Sequence, residues 1–268
     1  MRYSAVKPLD SITTMTEQTR LAYLNPEFVE SDEGRPIRIL TEYLSPLRAL
    51  REAHIHDTIV FFGSARIGES GPLRRYYEEA RELARHVTRW AQSISEHDCR
   101  LVVCTGGGGG IMEAANRGAV EAGGRTVGFN IGLPFEQRPN AYLEKELTFE
   151  FHYFFMRKLW FAHLARAIVV FPGGFGTLDE LFEILTLEQT RKLARPICVV
   201  LYGSTYWKEI VNFDALARHG VISATDLNLF RYADDPEGAL QILKQHVHID
   251  TSAAAPDLAK SSTPCCQR

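Results

Sequence analysis

Residues 167–180 read AIVVFPGGFGTLDE. The run Ala167 to Phe171 is continuously apolar and is closed by Pro172 and Gly173, the mark of a short strand covered on both faces. Thr177 to Lys192 then reads as a helix. A strand that enters a helix through glycines leaves free backbone N–H groups and a partial positive charge at the helix start. Gly173, Gly174 and Gly176 let an anion approach that backbone, and Thr177 adds a hydroxyl donor or caps the helix. A plain tight turn is the blander alternative, although one glycine would serve for that.

The same strand–helix alternation extends in both directions. Thr58 to Gly63 (TIVFFG), Leu101 to Thr105 (LVVCT), Arg125 to Asn130 and Pro196 to Tyr202 (PICVVLY) read as strands, with Leu147 to Phe151 as another candidate. Helical patterns fill Leu73 to Ser95, Ile111 to Ala122 and Phe155 to Ala165, and two more helical segments follow Tyr202. The expected fold class is α/β: a Rossmann-like doubly wound parallel sheet with helices on both faces. Such sheets bind ligands at the carboxyl ends of their strands, where every Gly-rich segment of this chain falls.

Residues 1–57 read as an N-terminal extension whose helical part, Pro36 to Ala53, carries one apolar face. Residues 58–249 form the expected nucleotide-binding domain. Residues 250–268, rich in Ala, Ser and Pro, read as a disordered tail. The formal net charge of -3 creates no strong field that would attract nucleic acid or an acidic membrane. No apolar run has transmembrane length and Met1 to Asp10 lacks a signal-peptide stretch, so the expected location is the cytoplasm. The five cysteines have no ligand spacing, so neither a disulfide framework nor a metal is expected; Cys104 and Cys198 read as small core residues.

Two further loops follow strands. Gly106 to Gly110 precede Ile111-Met112-Glu113. No Gly-Lys-Ser/Thr follows, so this is not a P-loop, and Phe129-Asn130 stands where a dinucleotide fold would place its ribose-binding acid. Five glycines are entropically costly, which favours close ligand approach at Gly107, Gly108 and Gly109 over a flexible connector. Gly63-Ser64-Ala65-Arg66 offers small residues and one Arg that suit a base or phosphate, or an ordinary β–α turn.

PGGFGTLDE matches the PGGxGTxxE motif of the LOG family, long labelled "lysine decarboxylase". Met156-Arg157-Lys158 resembles that family's Arg-Lys pair, GGGGGIMEAANRGA its other glycine loop, and FFGSAR and LPFEQRPN loops of its longer bacterial members. The resemblance covers about Asp57 to Asp250. It implies hydrolysis of the N-glycosidic bond of a nucleoside 5′-monophosphate, with Glu180 and Arg157 catalytic. Glu180 sits one turn beyond Thr177, on a similar helix face. By the same resemblance Lys158 binds phosphate or ribose, Glu136 contacts ribose or base, and Thr186 reaches the site from within or across a dimer. Gly63, Ser64, Gly107, Gly108, Gly109, Gly173, Gly174, Gly176 and Thr177 complete the expected substrate-binding set. No cofactor is implied. The expected partners are a small-molecule nucleotide and further copies of the chain, as a homodimer or higher homo-oligomer.

The alternative is a non-catalytic carrier of a nucleotide-containing cofactor such as molybdenum cofactor, which would not need Glu180 and Arg157 together. Lysine decarboxylation fits poorly, because nothing in the sequence suggests a lysine carrying pyridoxal phosphate.

Overall fold

A computed structural model describes residues 21–94, 100–132 and 138–247. The chain divides into two compact units at Ser45/Pro46. In the first, a 3-10 turn (Ala22–Leu24) precedes α1 (Pro26–Glu30), where Pro26 occupies a position that needs no N–H donor. α2 (Arg35–Glu52) then runs across the division. The Arg38 guanidinium donates to the carbonyls of Val29 and, at 2.7 Å, Ser31, tying α1 to the start of α2.

The second unit is built on seven parallel strands: β1 (Thr58–Phe62), β2 (Val102–Thr105), β3 (Thr126–Ile131), β4 (Thr148–Phe151), β5 (Ala165–Val170), β6 (Cys198–Tyr202) and β7 (Phe230–Ala233). Their order is β4-β3-β2-β1-β5-β6-β7. The chain steps outward from β1 to β4, returns to the other side of β1, and steps outward again. The reversal falls between β1 and β5, paired from Thr58 opposite Ala165 to Phe62 opposite Val170. That is the switch point where open α/β sheets form their crevice.

Every residue of β1 is buried. Alternate side chains face opposite sides of a strand. Ile59 and Phe61 join one core layer with Tyr77, Leu83 and Val87 of α3 (Arg74–Ile94), Ala114 and Ala115 of α4 (Ile111–Glu121), and Ala239 and Leu243 of α9 (Pro236–His246). On the other face Phe62 meets Phe161 of α5 (Phe154–Leu164) edge-on at 4.9 Å. Phe129 of β3 packs against Phe149, Phe151, Trp160 and Phe161 on that face. The expected helix-covered parallel sheet is therefore what the chain forms.

The region after Tyr202 departs from expectation. Two helical segments were expected after Tyr202, and three helices occur: α7 (Ser204–Ile210), α8 (Phe213–Arg218) and α9. Between α8 and α9 stands β7, which pairs with β6 from Phe230 opposite Val199 to Ala233 opposite Tyr202. As an edge strand with Arg231 exposed, it lacks the continuous apolar run that marks the buried strands.

At the amino edge of the sheet, Asp57 is completely buried and paired to Arg166 at 2.6 Å, Arg100 at 3.1 Å and Arg195 at 3.3 Å. A buried carboxylate needs such partners. Here they tie the entries of β1 and β5 together at the end opposite the glycine loops. Cys104 is buried in β2 and Cys198 partly buried in β6, both as free thiols. Among the described residues, no helix is long and apolar enough to cross a membrane. The expected tail from residue 250, Glu136, and Cys99, Cys265 and Cys266 lie outside the described residues.

Candidate active site

Three loops meet where β1 and β5 end. The Ser64 N–H donates to the Pro172 carbonyl at 3.0 Å, and the Ile111 N–H donates to the Ser64 carbonyl at 3.1 Å. This brings the Pro172–Thr177 loop, the Gly63–Arg66 loop and the start of α4 together. Close approach requires glycine at two points. A Cβ on Gly63 would enter the Ile111 side chain, and one on Gly110, where φ is +65°, would enter the Ser64 carbonyl.

The result is a cleft of about 930 Å3. One wall is formed by Gly173, Gly174, Phe175, Gly176 and Thr177, where α6 (Phe175–Gln189) begins. The opposite wall carries Gly63, Ser64 and Arg66, with Phe62, Ile67, Met112 and Phe161 as apolar surface. Arg157 and Glu180 also face the cleft.

Arg157 lies on α5 and Glu180 on α6, and Arg157 Nη2 donates to Glu180 Oε1 at 3.0 Å. Their side chains are 14% and 6% exposed. Burial pushes the Glu180 carboxyl up to about 7, against the opposing charges of Arg157 and Lys158; Glu183 and Asp179 add to the rise. The Arg157 guanidinium lies over the rings of Phe154 and Phe161 at 5.1 and 5.9 Å. Its buried Nε has no acceptor among the described residues, leaving a donor for a bound molecule. The cleft thus combines an anion-binding helix start with a carboxylate that titrates near neutrality beside a fixed cation.

The other expected residues are placed differently. Lys158 is not on the cleft wall; its ammonium binds Asp179 at 2.8 Å and Glu183 at 2.7 Å. Burial pulls its pKa down, but the two carboxylates outweigh that and the net shift is upward. Thr186 is exposed, donates to the Phe182 carbonyl at 2.7 Å, and borders a separate groove of about 540 Å3 with Lys158 and Glu183. Phe175 and Leu178 form the partition between groove and cleft.

The second glycine loop reaches the cleft through Gly106, not through Gly107, Gly108 or Gly109. Asn140 holds it from behind. Its Nδ2 donates to the Gly108 carbonyl at 2.9 Å and to Asn116 Oδ1 at 2.8 Å, and its N–H donates to the Gly107 carbonyl at 2.9 Å. Buried Asn116 also accepts from Thr105 Oγ1 at 2.8 Å, and that hydroxyl accepts from the Gly107 N–H at 2.9 Å. The loop is therefore fixed by a buried polar network.

Tyr206 of α7 lines the cleft and was not singled out from the sequence. Its signal is positional: GSTYW follows β6, so it begins at the carboxyl edge of the sheet where the site lies.

Fold and site together define a class: Rossmann-like α/β proteins that present glycine loops and a buried Arg–Glu pair at the switch point of a parallel sheet. Within that class the chain is similar to the LOG family. The family model described as "Possible lysine decarboxylase" matches residues 112–243. The cytokinin riboside 5′-monophosphate phosphoribohydrolase of Rhodococcoides fascians is 28% identical over 158 residues, covering 57% of this chain and 77% of its own. Cytokinin riboside 5′-monophosphate phosphoribohydrolase LOG2 of Arabidopsis thaliana is 27% identical over 195 residues, covering 70% and 82% respectively. The X-ray structure of TM1055 shares the fold with a TM-score of 0.51 and 23% identity, over 70% of this chain and 99% of that one.

Proposed function

We propose that the chain is a phosphoribohydrolase. It hydrolyses the N-glycosidic bond of a nucleoside 5′-monophosphate, AMP-like or a cytokinin riboside monophosphate, to free base and ribose 5-phosphate. The observation that carries this is the buried Arg157–Glu180 pair facing the same cleft as the start of α6. A carrier of a bound nucleotide needs the glycine loops but not a carboxylate poised near pH 7 beside a fixed guanidinium. The names of the curated relatives support the same reaction.

In this reading the phosphate sits on the N–H groups of Gly174 to Thr177 and the Thr177 hydroxyl, and the base lies toward Phe62, Ile67 and Met112. Phosphate binding holds the ribose without itself reacting. The C1′–N bond breaks, its electron pair leaves with the base, and the ribose develops oxocarbenium character. Ionised Glu180 faces that positive charge and takes a proton from the water whose oxygen bonds to C1′; the departing base takes up a proton from solvent, and Glu180 returns its own to solvent. Arg157 keeps Glu180 ionised and donates to substrate oxygen atoms. Lys158 acts at a distance, its charge lowering the Glu180 pKa. No metal or cofactor enters the reaction.

The same reading places the enzyme in the cytoplasm as a homodimer or higher homo-oligomer. Phe154, Phe155 and Leu159 of α5 are 49%, 53% and 42% exposed, an apolar surface suited to a second copy.

The deciding experiment incubates the protein with AMP, GMP, CMP, IMP and a cytokinin riboside monophosphate and follows base and ribose 5-phosphate by chromatography. Release of both products, lost in Glu180→Gln, supports the hydrolase. Tight nucleotide binding with no release from any of them overturns it in favour of the carrier.

A further inference from the structure

We propose that Tyr206 is a positioning residue that sets the phosphate-binding loop, acting from a helix outside the glycine motif. The inference rests on the hydrolase reading only in assigning phosphate to that loop. The Tyr206 hydroxyl donates to the Gly173 carbonyl at 2.8 Å. The next residue, fully buried Trp207, donates through Nε1 to the Val170 carbonyl at 3.0 Å and the Tyr202 carbonyl at 3.1 Å. Two consecutive side chains of α7 thus grip the last carbonyl of β5 and the second residue of the loop, on either side of Phe171-Pro172.

α7 is itself held in place. Gly203 begins it with φ at +89°, where a Cβ would strike the Tyr76 ring, and its N–H donates to the Ala233 carbonyl at 2.8 Å. Ser204 gives both its N–H and its hydroxyl to Asp234, each at 2.7 Å. A continuous path therefore runs from the end of β7 through Asp234, Ser204 and Tyr206 to Gly173. A carbonyl held by Tyr206 cannot turn toward the cleft, where its negative end would oppose an anion; the N–H groups of the following residues are left to face it. Burial raises the Tyr206 pKa, so the phenol keeps its proton as a donor at neutral pH.

The test compares wild type with Tyr206→Phe, which removes only the hydroxyl, and Ser204→Ala, which removes one of the two bonds from Ser204 to Asp234. Calorimetry measures binding of ribose 5-phosphate and of adenosine, and steady-state kinetics measures AMP turnover. One lost hydrogen bond predicts about three- to tenfold weaker ribose 5-phosphate binding and a matching rise in KM, with kcat unchanged. Adenosine, which lacks the phosphate, binds all three proteins alike. Unchanged ribose 5-phosphate affinity in folded Tyr206→Phe and Ser204→Ala overturns the proposal, as does a fall in kcat with KM unmoved. Should wild type bind ribose 5-phosphate yet release no base from any nucleotide, the hydrolase reading fails, while selective loss of that binding in Tyr206→Phe still supports the clamp.

Discussion

Arg157 and Glu180 lie on different helices, and their charged groups meet at 3.0 Å with both side chains more than four-fifths buried. Two opposite charges held this far from water are strongly coupled, and each sets what the other can do. Glu180 would be protonated at neutral pH by burial alone; the guanidinium opposes that, and the balance falls at about 7.

Removing either member should stop the reaction without unfolding the chain. Glu180→Gln keeps the shape and loses the charge; Arg157→Ala leaves a carboxyl that can take up a proton in place of its lost partner. The expected loss in kcat is about 10²- to 10⁴-fold for each. Circular dichroism should remain native. Near-wild-type turnover by folded Glu180→Gln would sink the mechanism.

The pH profile follows from the raised carboxyl. The working form is ionised, so kcat/KM should fall as pH drops below about 7, approaching tenfold per unit. Glu183 is one of the charges that raise the Glu180 pKa, so Glu183→Gln should move this limb to lower pH while Lys158 keeps Asp179. A limb that stays in place, or moves upward, contradicts the assignment of the titrating group.

Gly110 and Gly109 give a paired test of the loop packing. Alanine at 110 meets both a left-handed φ of +65° and the Ser64 carbonyl, whereas at 109 the nearest atoms lie at an ordinary 3.8 Å. Gly110→Ala should cost about 2 kcal/mol or more in stability, and Gly109→Ala less than about 1 kcal/mol. Equal denaturant midpoints for the two variants would be incompatible with this packing.

The apolar surface of α5 can be probed in solution. Sedimentation velocity should give a species at least twice the 30.2 kDa chain mass, and Phe155→Asp should shift it toward monomer. A wild-type chain that sediments as a monomer at micromolar concentration removes the proposed self-association.

The α/β class, β1, β2, β3, β5 and β6, and the glycine loops were legible in sequence because each is a local property. Buried parallel strands need unbroken apolar runs such as TIVFF and CVVLY, and anion-binding helix starts need adjacent glycines. Arg157 and Glu180 were singled out through a motif; nothing local says that residues 23 positions apart share a hydrogen bond. β7 escaped because a four-residue edge strand is defined by its neighbour and carries little pattern of its own.

By itself the sequence determined the secondary-structure alternation, the edge of the sheet that carries the glycine loops, and the residue types available there. Only tertiary structure decided which of them share one cleft. The strand order places β5 beside β1, so PGGFGT faces GSAR, while Gly107 and Gly108 turn their carbonyls to Asn140 and Lys158 turns to Asp179 and Glu183. The same order puts β6 beside β5, so α7, which follows β6, reaches Gly173 and gives Tyr206 a contact its own segment does not announce. Backbone propensity and hydrophobic period act over a few residues, whereas the partner of a buried charge or carbonyl is chosen by how distant segments pack.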